Sequence, residues 1–306
     1  MNTVLITGGA GFIGRYLAWD ILKSGVKVVV FDNLMIKSVL PLNFHSNCNQ
    51  GEIYDNDSRG IIVKGDIRDS SLLKETFQRY QPDSIIHLAA ISDSNVALQS
   101  PKECRSVNVD GLNNIFTVLS KVSKVERFIF VSSSYVYGDF NYEPADELHP
   151  LNPQHIYGKT KLEGEKMTVS FCTKNNIYYT IIRPTAVYGF GSSLQRVCCK
   201  MIIDALAKKE IIIHNDGNQK LDFTHIDDLI QGFSKILYNN NAKNQIFNLS
   251  RGRARSIGEL AGLIRRNIPQ VKIINQNQEF KKPLRGALDI SKARNMLGFK
   301  PCIDIE

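Results

Sequence analysis

Residues 7–14 read TGGAGFIG, between the apolar run Val4-Leu5-Ile6 and an amphipathic stretch from Phe12 to Leu22. Gly8, Gly11 and Gly14 therefore sit where a strand turns directly into a helix. Glycine permits the tight turn and lets backbone N–H groups approach a pyrophosphate closely. The helix N-terminus adds a partial positive charge. Asp32 closes the next apolar run, Val26 to Phe31. An acid there accepts hydrogen bonds from ribose hydroxyls and repels a 2′-phosphate, which favours NAD over NADP.

The rest of the first two-thirds keeps the same rhythm. Further strands are expected at Ile61-Ile62-Val63, Ser84 to Leu88, Arg127 to Val131 and Tyr178 to Ile182. Helical patterns run from Ser70 to Tyr80, Pro101 to Val122 and Pro153 to Lys174, and residues 33–60 read as a long polar loop. Continuous apolar strands alternating with helices predict an α/β fold, a doubly wound parallel sheet of the Rossmann type. After Pro184 the segments shorten. Helices are expected at Leu194 to Lys208, Asp227 to Tyr238, Ile257 to Asn267 and Ile290 to Leu297, with a strand at Ile211 to His214. This predicts a dinucleotide-binding domain over 1–183. A smaller α/β substrate domain over 184–306 is partly interleaved with the sheet. The Asn-rich YNNNAKNQ reads as a surface loop.

Composition narrows the function classes. The 306 residues carry a formal charge of +8, without a dense Lys/Arg block, so nucleic acid is not an expected partner. The six cysteines, at 48, 104, 172, 198, 199 and 302, form no CxxC pair and lie at no metal-ligand spacing. Reduced thiols in a cytoplasmic protein are expected, with no metal site. The N-terminus enters a strand at once and reads as lacking a signal peptide. No apolar run approaches the roughly 20 residues that span a bilayer, so no membrane insertion is expected.

Two further stretches are rich in reactive side chains. VSSSYVYG at 131–138 places three serines and two tyrosines directly after an apolar strand. YGKTK at 157–161 places Tyr157 and Lys161 at i and i+4, on one helix face. A free tyrosine has a pKa of about 10, and a neighbouring ammonium lowers it toward the range useful for proton exchange with a substrate hydroxyl.

TGGAGFIG, FDN, GDIRD, HLAA, VNVDG, VSSSYVYG, YGKTKLEGE, RPTAVYG, LDFTHIDDL and LDISKARNMLGFKP occur in that order. Together they resemble the extended short-chain dehydrogenase/reductase family, in its NAD-dependent epimerase/dehydratase branch, over nearly the whole chain. The resemblance implies a cofactor-binding set of Gly8, Gly11, Phe12, Ile13, Gly14, Asp32 and Asn33, with Asp66 and Ile67 near adenine. Leu88, Ala89 and Ala90 would line the cofactor. Asn108 and Ser132 would lie near the nicotinamide, and Pro184 would begin the stretch passing its carboxamide. Tyr157 is implied as the acid/base and Lys161 as its modulator and a ribose ligand. By register, Ser133 is implied as the hydroxyl that grips the reacting substrate oxygen. The resemblance also implies a homodimer through the helix bearing Tyr157 and the long helix before it, with which Val107, Leu112, Ile115 and Phe116 are consistent.

Three reaction types share such a scaffold. Dehydratases of the family carry an Asp-Glu pair directly after the catalytic Ser/Thr, where this chain has Ser134 and Tyr135. Ketoreductases usually draw on NADPH, against which Asp32 argues. NAD-dependent 4-epimerisation of a nucleotide sugar therefore comes first. An NADH-dependent reductase or plain dehydrogenase is second, and a non-catalytic NAD sensor is disfavoured by the complete Ser133, Tyr157 and Lys161 set. The chain departs from the family where it clamps a diphosphate: Ala186, Leu221 and, by a loose count, Glu279 stand at recurrently polar or basic positions. Arg196 and Lys200, or Lys220, Lys281, Lys282 and Arg285, are candidates to replace them. Alternatively, the substrate lacks a diphosphate. Ser134, Tyr135, Ala186, Arg196, Lys200 and Arg285 form the candidate substrate set.

Overall fold

A computed structural model describes residues 1–35, 52–54 (backbone only), 59–122, 125–207, 210–277 and 284–306. Cys48, Lys208, Glu279, Lys281, Lys282 and much of the polar stretch 33–60 lie outside the described residues.

Thr3–Thr7 (β1) is buried along its whole length, and it pairs in parallel with Lys27–Asp32 (β2) on one side and Ser84–His87 (β5) on the other. From β2 the sheet continues through Gly60–Lys64 (β4) to an antiparallel edge strand, Glu52–Tyr54 (β3). From β5 it continues in parallel through Arg127–Val131 (β6) and Tyr178–Pro184 (β7) to Gln245–Leu249. The strand order thus reverses between β1 and β5. In open α/β sheets the crevice at such a reversal, outside the carboxyl ends of the strands, receives the ligand.

Both faces are covered, which is why the strands read as unbroken apolar runs. Phe12–Lys23 (α1) and Ile226–Tyr238 (α8) cover one face through Leu17, Ile21, Phe233 and Ile236. Ser70–Tyr80 (α2) and Gly111–Val122 (α5) cover the other through Leu73, Phe77, Ile115 and Phe116. Leu112, Ile115 and Phe116 are thus buried within the chain's own core, with Val107 partly buried against it. Each such side chain contributes roughly 1.5–3 kcal/mol by leaving water. A third core joins Val197–Leu206 (α7) and Ile257–Asn267 (α9) through Met201, Ala205, Leu260 and Ile264.

Several boundaries differ from those expected. The last residue of the Asn-rich stretch, Gln245, opens a buried strand of the main sheet rather than ending a loop. Its five residues, QIFNL, are too few to show a period. The expected helix Pro101 to Val122 is split. Pro101–Arg105 (α4) leads into a π-helical turn, Ser106–Asp110, before α5. Such a turn inserts an extra residue and re-aims side chains; here Asn108 is among the residues it buries. Ile156–Lys174 (α6) starts three residues after Pro153, and α7 three after Leu194.

Candidate active site

The glycine turn is built by contact with the strand across the crevice. Gly8 has φ +70°, and a Cβ there would lie 2.6 Å from the Ala89 backbone nitrogen. At Gly14 a Cβ would lie 2.5 Å from the Cα of Gly9. Gly11, the N-cap of α1, makes no side-chain cap. Asp32 ties the turn together: its carboxylate accepts from Ala10 N at 3.0 Å and Leu34 N at 2.8 Å. Burial pushes its carboxyl above the usual range, against those two hydrogen bonds. A cradle without Cβ atoms, an uncapped helix end and an acid at the second strand's end fit a dinucleotide.

The other expected cofactor residues lie along this crevice or brace it. Asp66 is gripped by Arg68, whose Nη2 and Nε reach its two oxygens at 2.7 and 3.0 Å. That hydrogen bonding holds the Asp66 carboxyl below its ordinary value. Ile67 is buried against Gly111, where a Cβ would come within 2.5 Å of its Cδ1. Asn108 accepts from Ile91 N at 2.8 Å and donates to Thr160 Oγ1 at 3.0 Å. It thereby joins the segment after Ala90 to α6.

The hydroxyl cluster separates into distinct roles. Ser133, two residues past β6, accepts from Tyr135 N at 3.3 Å, and its hydroxyl acts to lower the Tyr157 phenol. Ser132 turns the other way and donates to Glu165 Oε1 at 2.5 Å. Ser134 is buried, with no partner for its hydroxyl among the described residues. Tyr137 donates to Asn248 Oδ1 at 2.7 Å, inside the protein. Tyr135 packs edge-on against Tyr157, with ring centroids 5.5 Å apart.

The expected electrostatics of the Tyr–Lys pair are reversed here. Tyr157 is pushed up to about 12 by burial, and the strongest opposing influence is the charge of Arg196 rather than Lys161. Lys161 is itself pushed down to about 8 by burial. Its ammonium donates to Val131 O at 2.8 Å and lies 5.1 Å from the Phe130 ring centroid. The i,i+4 spacing reports a shared helix face, but not the burial of that face, which raises the phenol and lowers the amine.

The substrate candidates are also sorted by the fold. The Arg285 guanidinium lies 4.3 Å from the Tyr135 ring centroid. Burial would raise the Tyr135 phenol, but Arg285, the Ser94 hydroxyl and Arg196 outweigh it, and the net shift is downward. Arg196 begins α7 and acts on both tyrosines. Lys200 is exposed and paired with Asp204 at 2.7 Å. Lys220 lies 3.9 Å from Glu143. Ala186 has φ +39°, and Leu221 is buried in the third core.

Sequence reasoning missed the layer beneath these groups. Arg183 forms a bidentate pair with Glu165, at 2.9 and 2.7 Å, and also donates to Tyr137 Oη at 3.1 Å. Glu165 is one helical turn beyond Lys161, so the i, i+4, i+8 series Tyr157, Lys161, Glu165 was the available signal.

Comparison with known proteins identifies the family. The model of the NAD dependent epimerase/dehydratase family matches residues 4–250. A Methanocaldococcus jannaschii protein, provisionally named UDP-glucose 4-epimerase, is 31% identical over 99% of this chain and 94% of its own. Human dTDP-D-glucose 4,6-dehydratase is 27% identical over 84% of this chain and 71% of its own. Among solved structures, the UDP-glucuronic acid 4-epimerase from Bacillus cereus, in complex with UDP-glucuronic acid and NAD, superposes with a TM-score of 0.86. It is 26% identical and the match covers 99% of this chain and 95% of the other. The chain belongs to the NAD dependent epimerase/dehydratase family, an enzyme family whose cofactor is NAD.

Proposed function

We propose that the protein is an NAD-dependent epimerase of a nucleotide sugar, acting at C4 through a 4-keto intermediate. The observation that favours epimerisation is the set of groups around Tyr157. Tyr135 meets its ring edge-on with centroids 5.5 Å apart, and Ser134 and Tyr135 stand where the family's dehydratases carry an Asp-Glu pair. Elimination of water needs an additional acid and base. The positions after Ser133 offer a buried serine and a tyrosine stacked under an arginine instead. On this reading Ser133 holds the C4 oxygen and Tyr157 takes and returns its proton. Lys161 supplies positive charge at the end of β6. NAD, held by the Gly8–Gly14 turn and Asp32, would supply the hydride acceptor and donor for C4. Among the described residues Arg196 and Arg285 have no carboxylate partner, and we assign them to the anionic part of the substrate. The relatives that act on UDP-glucuronate and the structure holding UDP-glucuronic acid favour a nucleotide sugar in that role.

Incubation with UDP-, dTDP-, GDP- and CDP-sugars carrying deuterium at C4, followed by NMR, tests this. A C4 epimer that retains the label is expected, and Tyr157→Phe should abolish it. Release of a 4-keto-6-deoxy sugar, or net NADH formation, would refute the assignment. We also propose a homodimer. Its interface must use residues other than the core-bound Leu112, Ile115 and Phe116, and sedimentation equilibrium gives the oligomeric state. No described helix is long and apolar enough to cross a membrane.

A further inference from the structure

We infer that Glu165, held between Ser132 and Arg183, is a positioning residue that locks the Tyr157–Lys161 helix face to the strand end bearing Ser133. The inference rests on the assignment of Ser133, Tyr157 and Lys161 as the reacting set.

Three elements meet at this one carboxylate: α6, the end of β6 and β7. Glu165 is on α6, one turn beyond Lys161. Ser132 is the residue beside Ser133, just past β6, and donates to Glu165 Oε1 at 2.5 Å. Arg183 is on β7 and donates to both Glu165 oxygens. Through Arg183 the chain of contacts passes to Tyr137 and on to Asn248, on the last strand of the sheet. Asn248 in turn donates to Ala145 O at 3.0 Å and Asp289 O at 3.1 Å. Those contacts anchor the segment that presents Arg285, since Ala145 also bonds the backbone of Ala287 and Asp289.

Ser132, Glu165, Arg183, Tyr137 and Asn248 are all buried, and Arg183 is 1% exposed. A buried ion pair of this kind is weak evidence of stabilisation for its own sake, because desolvation offsets much of the attraction. Its value is geometric: it fixes the distance between one turn of α6 and the end of β6. That distance sets whether the Ser133 hydroxyl and the Tyr157 phenol meet at one substrate oxygen. An error of about 1 Å there is enough to slow a reaction by about a hundredfold.

The same carboxylate acts on Lys161 by charge. Burial drives the Lys161 ammonium toward its neutral form, and Cys104 and Glu165 oppose that. His87 also faces Lys161, and burial, with Lys161, pushes it down to about 3, so it adds no charge near neutrality. Tyr157, pushed up to about 12, is also uncharged there. Arg183 stands behind Glu165 and partly offsets its field.

The test compares Ser132→Ala and Glu165→Gln with wild type and with Tyr157→Phe, using the holoenzyme and the substrate that the NMR panel identifies. Ser132→Ala removes one hydroxyl and leaves the ion pair intact. It should lower kcat about tenfold, equivalent to about 1.4 kcal/mol, with KM, NAD affinity and Tm unchanged. Glu165→Gln should shift the alkaline limb of the kcat–pH profile to lower pH. A role confined to stability would not move that limb. The proposal is overturned if Ser132→Ala keeps full kcat, or loses NAD affinity instead, which would make Ser132 a cofactor contact. If Glu165→Gln folds and its limb does not move, the charge role is overturned. If Tyr157→Phe remains active, the underlying assignment of the reacting set fails instead, and the two failures are distinct.

Discussion

Lys161 should impose a stability cost that can be read against pH. Its ammonium is buried, and burial moves its pKa from 10.5 to about 8. Above the folded value the native state has released a proton that the unfolded chain still holds. Stability attributable to this residue therefore rises as pH climbs from about 8 toward 10.5. The full cost below pH 8 is about 3 kcal/mol, and roughly 2.5 kcal/mol of it is relieved by pH 10. Lys161→Met keeps most of the stem's packing and removes the titration. It also leaves the Val131 carbonyl without its 2.8 Å donor, a penalty of about 1–3 kcal/mol that does not vary with pH. Taking the difference between the two proteins cancels that constant. The wild type should gain roughly 2.5 kcal/mol on the variant between about pH 7 and pH 10. Urea unfolding of both apoproteins near pH 7, 8.5 and 10 measures the gap. A gap constant to within about 0.5 kcal/mol would mean that Lys161 is not charged in a desolvated site, and the burial argument would fall.

Gly8→Ala places a Cβ 2.6 Å from the Ala89 nitrogen at φ +70° and should cost about 2 kcal/mol or more while weakening NAD binding, measurable by calorimetry. Asp222 is fully buried and pushed up to about 6, chiefly by burial, against hydrogen bonds from Leu288, Ser250 and Gly252. Its contribution is complete below about pH 4 and declines as pH rises through about 6; Asp222→Asn should flatten that part of the stability–pH curve, read by thermal melts. Arg285→Ala should raise KM for an anionic substrate about tenfold with little change in Tm, since its guanidinium stacks on Tyr135 and has no carboxylate partner among the described residues.

The glycine turn, the acid after the second strand and the Tyr–Lys spacing were legible because each depends on local geometry. A turn that excludes Cβ atoms must use glycine wherever the rest of the chain lies, and residues four apart on a helix share a face in any fold. The βα alternation was legible for a related reason: strands buried on both faces need unbroken apolar runs. Gln245–Leu249 escaped because five residues directly after an Asn-rich stretch have no period long enough to read. Only pairing with β7 makes it part of the sheet.

What the tertiary structure alone decided is the environment of each reactive group. Sequence placed Lys161 beside Tyr157, but only the fold buries both, raising the phenol and lowering the amine, and brings Arg196 in as the phenol's main opposing charge. Sequence placed Ser132 near the cofactor, but only packing turns it to Glu165, which Arg183 grips from β7. Backbone geometry acts over a few residues and is written in the local sequence. Desolvation and charge depend on every atom within several ångströms, and most of those atoms belong to residues far away along the chain.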